Sequence, residues 1–278
     1  MSEETIGNAP TIIAVAPNGG RRTQADHPAL PVTAAETART AAACREAGAA
    51  MLHIHVRRPD QRHSLDVDLY RDAVAATRDA VGPEMVIQAT TESVGLYGPD
   101  AQMAMVRELR PEAISMALRE LAPDDDHKAR FADFTGWLRR ENIAGQIILY
   151  DRDDTARARA WAREGVFDPA QMSVIFVTGK YTPPTTAMPI DLLPLFNDCA
   201  EIFRDWMLCS FGPNETACVT LGALLGGHCR VGFENNLDLP DGGRAPDNAA
   251  IVDATARALG SVGLKVAAPA QLRARWGL

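Results

Sequence analysis

The sequence has few cysteines and no long hydrophobic run. Its five cysteines among 278 residues are odd in number and form no C-x-x-C pair. This argues against a disulfide scaffold and against a cysteine-ligated zinc site. No apolar run approaches the roughly 18 residues of a membrane-spanning helix, and the initial MSEETIGNAP lacks the basic and apolar regions of a signal peptide. We therefore expect a cytoplasmic protein that does not bind membranes.

Positive charge and several common motifs are also scarce. Lysine and arginine number 28 against 36 acidic residues, giving a net charge of −8, which argues against nucleic-acid binding. No G-x-G-x-x-G follows the first apolar run, and there is no G-x-S-x-G elbow or Walker loop. These absences argue against dinucleotide-binding, α/β-hydrolase and P-loop proteins. An anionic substrate stays possible, because local arginines can override a global charge.

Short apolar runs alternate with amphipathic segments along the whole chain. The first amphipathic segment has a capping box, Thr33 with Glu36, and a closing glycine, Gly48, which indicate a helix. Eight strand–helix units predict a (β/α)8 TIM barrel forming a single domain over residues 1–278. An open doubly wound sheet is the alternative, but the count of eight favours the barrel. The runs span residues 11–17, 49–56, 84–90, 112–118, 145–151, 172–179, 205–211 and 228–234.

The second run, MLHIHV, carries two histidines two residues apart. On a strand His53 and His55 share one face, while Leu52 and Ile54 share the other. Active sites of (β/α)8 barrels lie at the C-terminal ends of the strands, and two buried imidazoles without partners are costly. We therefore favour metal ligation over structural hydrogen bonding, provided that a third ligand is present.

The eighth run, HCRVGFENN, supplies a candidate for that ligand. Alternation places Arg230 and Glu234 on one face, and closure of the barrel brings this strand to within two positions of the histidine strand. Two histidines, one carboxylate and open positions are typical of catalytic zinc. A solvated charge at the end of the strand is the alternative for Glu234.

Other strand ends carry polar groups that we predict to face the site. Taken singly, each is more typical of a capping or surface residue than of a site contact, but together they surround the proposed metal. His63 and His27 fall in predicted loops, where we expect them at the surface. No cysteine is expected beside the metal. The candidate site groups are Asn18, Arg21, Thr90, Glu92, Ser115 and Arg119.

Several of these segments, notably AGAAMLHIHVR, LRPEAISMALRE and GGHCRVGFENN, together resemble the β-keto acid cleavage enzyme family, typified by 3-keto-5-aminohexanoate cleavage enzyme. The resemblance covers nearly the whole chain. It implies a zinc-bearing barrel that condenses a β-keto acid with acetyl-CoA, giving acetoacetate and an acyl-CoA. It also implies a set of site residues: zinc ligands His53, His55 and Glu234, catalytic Arg230, a hydroxyl from Thr90 or Thr91, and the Ser115 hydroxyl.

Two positions depart from the family pattern. The aminohexanoate enzymes have an aspartate that takes part in proton abstraction directly after the zinc-binding glutamate. Here Asn235 occupies that catalytic position, so the identity of the base stays open. They also have an acidic residue after strand 1 that faces the substrate amine, and here the matching residue is Arg21. Together with Arg119 this favours a substrate with an anionic or neutral tail, although Glu92 pulls towards a cationic one.

Two other classes of protein remain. A metal-dependent aldolase or lyase on the same barrel would not need CoA, whereas a binuclear amidohydrolase would need further histidines on strands 5 and 6, which are absent. A non-catalytic, zinc-stabilised barrel predicts four protein ligands, and only three are identified. By resemblance we expect a homo-oligomer, dimer or tetramer, with residues 181–196 and 274–278 as interface material.

Overall fold

The computed structural model describes residues 9–180 and 186–278. Within them, eight parallel strands close into a barrel in which each strand pairs with its neighbours in sequence and β8 pairs with β1. Every strand falls on one of the eight apolar runs, so the predicted (β/α)8 barrel is confirmed. The strands are β1 (Ile13–Val15), β2 (Met51–His53), β3 (Val86–Thr90), β4 (Ala113–Ala117), β5 (Ala144–Leu149), β6 (Met172–Thr178), β7 (Trp206–Ser210) and β8 (His228–Val231).

Helices cover the outside of the barrel, and side-chain caps fix where several of them begin. Thr33 and Glu36 form the predicted capping box at the start of α1, and Asp66, Asp151 and Asp247 cap later helices. Over the described ranges the helices are α1 (Ala34–Glu46), α2 (Val67–Val81), α3 (Pro99–Leu109), α4 (Leu118–Leu121), α5 (Lys128–Arg140), α6 (Arg152–Arg163), α7 (Leu192–Cys199), α8 (Glu215–Leu224), α9 (Asn248–Ser261) and α10 (Pro269–Trp276), with 3₁₀ turns at Asp125–His127 and Pro189–Asp191.

The hydrophobic core has two layers. Leu52 and Ile54 lie between strands and helices, as their alternation predicts, whereas Met51 and Met207 fill the barrel interior together with small residues such as Ala14. Buried polar side chains follow this inner layer towards the C-terminal ends of the strands. None of the helices in residues 9–180 and 186–278 has the length and hydropathy required to cross a bilayer.

The barrel strands differ in length. β1 and β2 have three residues each, whereas β6 has seven. After β2 the chain continues into a short antiparallel pair, Val56–Arg57 with His63–Ser64. On the side of the short strands, the backbone therefore leaves the sheet early and forms loops at the barrel mouth.

Candidate active site

The three predicted metal ligands meet at this mouth. His53 ends β2, His55 follows two residues later, and Glu234 lies in the turn after β8. The Nε2 atoms of His53 and His55 are 3.1 Å apart. Glu234 Oε2 lies 3.5 Å from Nε2 of His53 and 3.6 Å from Nε2 of His55. All three side chains are buried, and their potential ligand atoms converge on one point.

Simple alternation had assumed that Glu234 lies on a continuation of β8. In the structure, Glu234 reaches the histidines from a turn that follows this strand. β8 ends at Val231, and Gly232 adopts φ +126°, a conformation that favours glycine. A Cβ on Gly232 would lie 2.6 Å from the carbonyl oxygen of Ala16. Glu234 N donates to the same carbonyl at 3.0 Å. The close approach of the two backbones thus directs the carboxylate into the barrel mouth.

A row of amides orients His53. Its Nδ1 lies 2.8 Å from Gln88 Oε1, Gln88 Nε2 donates to Gln146 Oε1 at 3.2 Å, and Gln146 Nε2 donates to Ser173 Oγ at 3.1 Å. With these amide orientations, Nδ1 of His53 carries the proton and the Nε2 lone pair faces Glu234. Burial, followed by the charge of Arg230, lowers the pKa of His53 to about 3. The imidazole is therefore neutral, as a metal ligand must be.

The Glu234 carboxylate is only half satisfied. Its Oε1 accepts from Arg230 Nη2 at 3.3 Å, while the buried Oε2 has no hydrogen-bond partner among the described residues. Burial alone would raise the pKa of Glu234, but the charges of Arg230 and His55 outweigh it and hold the pKa well below its usual range. An ionised, unpaired oxygen facing two imidazole nitrogens is costly without a cation. The donor set therefore fits a metal such as zinc.

A cysteine lies beside this group, contrary to expectation. Arg230 Nη2 donates to Cys209 Sγ at 3.1 Å, and Cys209 Sγ donates to Asn235 Oδ1 at 3.2 Å. Burial raises the pKa of Cys209 to about 11, so it is a thiol. The signal was present in β7, because alternation places Met207 and Cys209 on the inner face.

Asn235 is held by a carboxyl that the sequence did not single out. Its Nδ2 donates to Glu215 Oε1 at 3.0 Å and to the carbonyl oxygen of Arg230 at 3.2 Å. Glu215 is the first residue of α8 and is fully buried. An acid in the first turn of a helix is ordinarily explained by the helix dipole, so the sequence gives no reason to expect it beneath the site.

The predicted hydroxyls lie together on β3 and β4. Ser115 Oγ donates to Thr90 Oγ1 at 2.9 Å, and the backbone N of Glu92 donates to the same oxygen at 3.1 Å. Thr90 therefore accepts twice and keeps its own hydrogen to donate. Thr91 is different, since its hydroxyl lies 3.3 Å from the carbonyl oxygen of Ser115 and serves the backbone.

An ion pair spans the mouth of the barrel. Glu92, after β3, accepts from Lys180, after β6, with 2.7 Å between Oε1 and Nζ. The other oxygen, Oε2, lies 3.7 Å from Nε2 of His55. Burial opposes ionisation of Glu92, but the charges of Lys180 and His55 and the hydrogen bond from Lys180 together outweigh it and lower the pKa. Sequence reasoning missed Lys180, although a lysine directly after a strand of a barrel is a visible signal.

The remaining candidates are Asn18, Arg21 and Arg119. Asn18 is buried and donates to the carbonyl oxygens of Pro31 and His55, both at 2.9 Å, so it anchors the loop that carries His55. Arg21 is exposed. Arg119 pairs with Asp151 and Asp154 at the start of α6. Asp151, which caps α6, thus also neutralises this arginine together with Asp154.

The loop after β1 packs directly against Glu234, one of the predicted ligands. Gly19 has φ +62°, and a Cβ there would lie 2.5 Å from Glu234 Cγ. Arg57, in the short antiparallel pair after β2, donates to the backbone oxygens of Gly19 and Arg22 and so fixes the position of this loop. His63 was expected at the surface but is buried, and its Nε2 donates to the carbonyl oxygen of Glu92 at 2.6 Å.

His27 also proves to be buried, with Nε2 2.9 Å from the carbonyl oxygen of Ala245. Its ring packs against that of Phe233, with 4.3 Å between the centroids. The buried polar groups that matter for chemistry are therefore those at the strand ends, and they define an enzyme of the (β/α)8-barrel class whose site is able to hold a metal ion.

Comparison with known proteins then gives the family. The family model described as beta-keto acid cleavage enzyme matches residues 10–278, and the chain belongs to this family. A 3-oxoadipate:acetyl-CoA acetyltransferase of Cupriavidus necator is 30% identical, over 97% of this chain and 95% of its own length. A 3-keto-5-aminohexanoate cleavage enzyme of Fusobacterium nucleatum is 27% identical, over 94% and 96%.

Solved structures agree on the fold. A ternary complex of ObcA with a C4-CoA adduct and oxalate superposes with a TM-score of 0.73, over 90% of this chain and 68% of the other, at 18% identity. At this identity the likeness shows the barrel alone.

Proposed function

We propose that the protein is a zinc-dependent β-keto acid cleavage enzyme. It condenses a β-keto acid with acetyl-CoA and releases acetoacetate and the CoA thioester of the remaining acyl fragment. The observation that carries this proposal is the unpaired Glu234 Oε2 facing Nε2 of His53 and of His55, beside a buried arginine, in a member of this family. Relatives named as acetyl-CoA transferases support the reaction type.

His53, His55 and Glu234 would hold the zinc. Bound there, the metal supplies Lewis-acid polarisation of the substrate's keto oxygen. Arg230 is the fixed cation beside it. Its guanidinium is buried and stays charged, so it can hold the negative charge that develops on a substrate oxygen without reorganisation of the site. The spare hydrogen of Thr90, oriented by Ser115, is a donor for the same purpose.

The reaction also needs a group that takes the α-proton of the β-keto acid. Asn235 is an amide whose hydrogen-bonding groups are already used by Glu215, Arg230 and Cys209, so it does not act as a base. Glu92 Oε2 is the carboxylate oxygen that we assign to this step, since Lys180 holds the other oxygen.

With this assignment, the proton removed in the first step is returned in the last. Glu92 takes a proton from the α-carbon, which then attacks the acetyl-CoA carbonyl and releases the CoA thiolate. The thiolate attacks the original keto carbon, the bond between that carbon and the α-carbon breaks, and Glu92 returns the proton to the α-carbon of acetoacetate.

For the substrate tail we propose an anionic or neutral group. Position 21 is an arginine rather than an acid, and the 30% identical relative is named for the β-keto diacid 3-oxoadipate. Arg119 contributes less than its charge suggests, because Asp151 and Asp154 neutralise it. A panel of anionic, neutral and cationic β-keto acids tests this. Preference for a cationic acid in this panel would contradict it.

The central experiment combines metal analysis with turnover. Purified protein should contain about one zinc per chain and form acetoacetate only when acetyl-CoA is present. The double variant His53→Ala/His55→Ala should lose both zinc and activity, whereas His127→Ala, which removes a partly exposed histidine paired with Asp124, should keep both. Full zinc occupancy in the double variant would refute the ligand assignment. Cleavage without acetyl-CoA would favour the aldolase alternative.

We also propose a cytoplasmic homo-oligomer, a dimer or tetramer. Of the segment 181–196 named as interface material, residues 181–185 lie outside the described part of the chain. Met188 and Ile190, which follow, are exposed apolar side chains, and this exposure supports the proposal.

A further inference from the structure

Glu215 is a fully buried acid to which the mechanism above assigns no role. Its carboxyl receives three N–H groups. The backbone N of Gly232 donates to Oε1 at 3.2 Å, Asn235 Nδ2 donates to Oε1 at 3.0 Å, and Asn236 Nδ2 lies 3.4 Å from Oε2. All three donors belong to the turn 232–236, which carries Glu234. The Glu215 carboxyl therefore binds residues on both sides of Glu234, the proposed zinc ligand in this turn.

The same carboxyl begins a hydrogen-bonded chain that ends at the site. Asn235 Oδ1 accepts from Cys209 Sγ at 3.2 Å, and Cys209 Sγ accepts from Arg230 Nη2 at 3.1 Å. Nη2 also reaches Glu234 Oε1. Nε of Arg230 has no partner among the described residues, and the contacts at Nη2 link this guanidinium to Cys209 and to Glu234.

We propose that Glu215 is a positioning residue that holds Glu234 and Arg230 in place through Asn235 and Cys209, and that its presence requires an amide at position 235. Asn235 donates to Glu215 and to the Arg230 carbonyl while accepting from Cys209. An aspartate would offer acceptors only and would set carboxyl oxygen against carboxyl oxygen at about 3 Å, where two such groups cannot both be ionised. The asparagine at position 235, where the aminohexanoate enzymes have an aspartate, is thus coupled to the presence of Glu215. As far as it concerns catalysis, the inference rests on the proposed function.

The first test compares Glu215→Met with Glu215→Gln. Methionine has similar length but no acceptor for Asn235 and Gly232, whereas glutamine keeps one at Oε1 and loses only the contact with Asn236. Glu215→Met should weaken zinc binding about 10- to 100-fold, the usual cost of losing support for a ligand, and should lower kcat with little change in KM for acetyl-CoA. Glu215→Gln should stay within about threefold of wild type, because one long hydrogen bond contributes little.

Glu112→Met is the matched control. Glu112 precedes β4 at the opposite end of the barrel and accepts from Ile87 N, Arg78 and Arg273. Its loss should lower the unfolding temperature without changing zinc affinity or kcat. If Glu215→Met also lowers only the unfolding temperature, Glu215 is a purely structural residue and the inference is wrong.

The second test is the coupling with position 235. Asn235→Asp is introduced into wild type and into Glu215→Gln, and zinc affinity is measured by competition with a chelator. The comparison is made at about pH 9, above the pKa of about 8 of Glu215, so that in the background with Glu215 the two carboxyls oppose each other, whereas the glutamine can donate to the new aspartate. The penalty should therefore be at least about tenfold smaller in the Glu215→Gln background. The same coupling should appear in urea unfolding of the metal-free protein. Equal penalties in both backgrounds would overturn the pairing.

A third comparison covers the case in which Glu215→Met does not fold. Cys209→Ala removes the link between Asn235 and Arg230, and Cys209→Ser restores a donor and an acceptor. We expect kcat to fall in the alanine variant by about tenfold, the scale of one charged hydrogen bond, and to recover in the serine variant. Wild-type kcat in both would refute the positioning chain.

Failure of this inference and failure of the proposed function give different results. If wild type cleaves β-keto acids but Glu215→Met binds zinc normally, only the inference fails. If no β-keto acid is cleaved but the zinc-affinity pattern and the coupling with position 235 hold, the proposed function fails and the role of Glu215 in the ligand turn stands.

Discussion

Replacing Gly19 by alanine should weaken the proposed metal site through a steric contact with Glu234. The effect of this contact can be measured separately from the cost of placing alanine in a left-handed backbone conformation. Gly19 has φ +62°, and the added methyl group would lie 2.5 Å from Cγ and 3.2 Å from Cδ of Glu234. A left-handed conformation costs a non-glycine residue about 1–2 kcal/mol, and crowding of a packed site costs about 1–3 kcal/mol more. Because Glu234 has to move away, zinc affinity should fall about tenfold or more, at 1.4 kcal/mol per factor of ten.

Gly277→Ala is the matched control. Gly277 ends α10 at φ +70° in the left-handed region, and a Cβ there would meet nothing within 4 Å. It should therefore lose only the backbone share, about 1–2 kcal/mol, with unchanged zinc affinity. The measurements are urea unfolding of both variants, for the free energy, and chelator competition, for zinc. Equal losses of stability together with equal zinc affinity would show that Gly19 does not pack on Glu234 as described.

Three further outcomes are expected. Gln88→Leu should lower zinc affinity about 10- to 100-fold, as measured by chelator competition, because Nδ1 of His53 loses its acceptor; unchanged affinity would refute this orientation. Burial raises the pKa of Glu215 to about 8, so the folded state holds a proton that the unfolded state has lost. Wild type should then lose stability relative to Glu215→Gln as the pH rises from about 5 to 8, and parallel unfolding curves across this window would contradict it. Light scattering at micromolar concentration should show a dimer or tetramer, and a 30 kDa particle would argue against an oligomer.

The architecture could be predicted because it depends on patterns that recur along the chain. Each barrel strand is an apolar run between helix signals, and alternation places His53 on the inner face while Leu52 packs under the helices. The proximity of His53 on β2 to the segment after β8 follows from closure of the barrel, which places only β1 between these two strands. Local periodicity and one topological rule are sufficient for that result.

The supporting contacts could not be predicted in the same way, because they join residues far apart in sequence through side chains with several possible partners. Glu92 meets Lys180 across the mouth, and Asn235 meets Glu215 beneath it. Arg119, which we predicted from its charge to contact the substrate, is ion-paired with Asp154, a partner that the sequence did not indicate. Glu234 lies near the histidines as predicted, but the turn at Gly232 places it there and strand alternation does not.

The unequal strands have a consequence for local opening of the backbone. β1 and β2, with three residues each, provide few strand hydrogen bonds beside the ligands, whereas β5 and β6, with six and seven residues, form the longer part of the wall. Segments with few such bonds open without global unfolding and exchange their amide hydrogens sooner. Amides near residues 53–55 and 232–235 should therefore exchange fastest in metal-free protein and slow markedly on addition of zinc, while those of β5 and β6 change little. A bound zinc ion would in this way stabilise the side of the barrel formed by the short strands β1 and β2 against local opening.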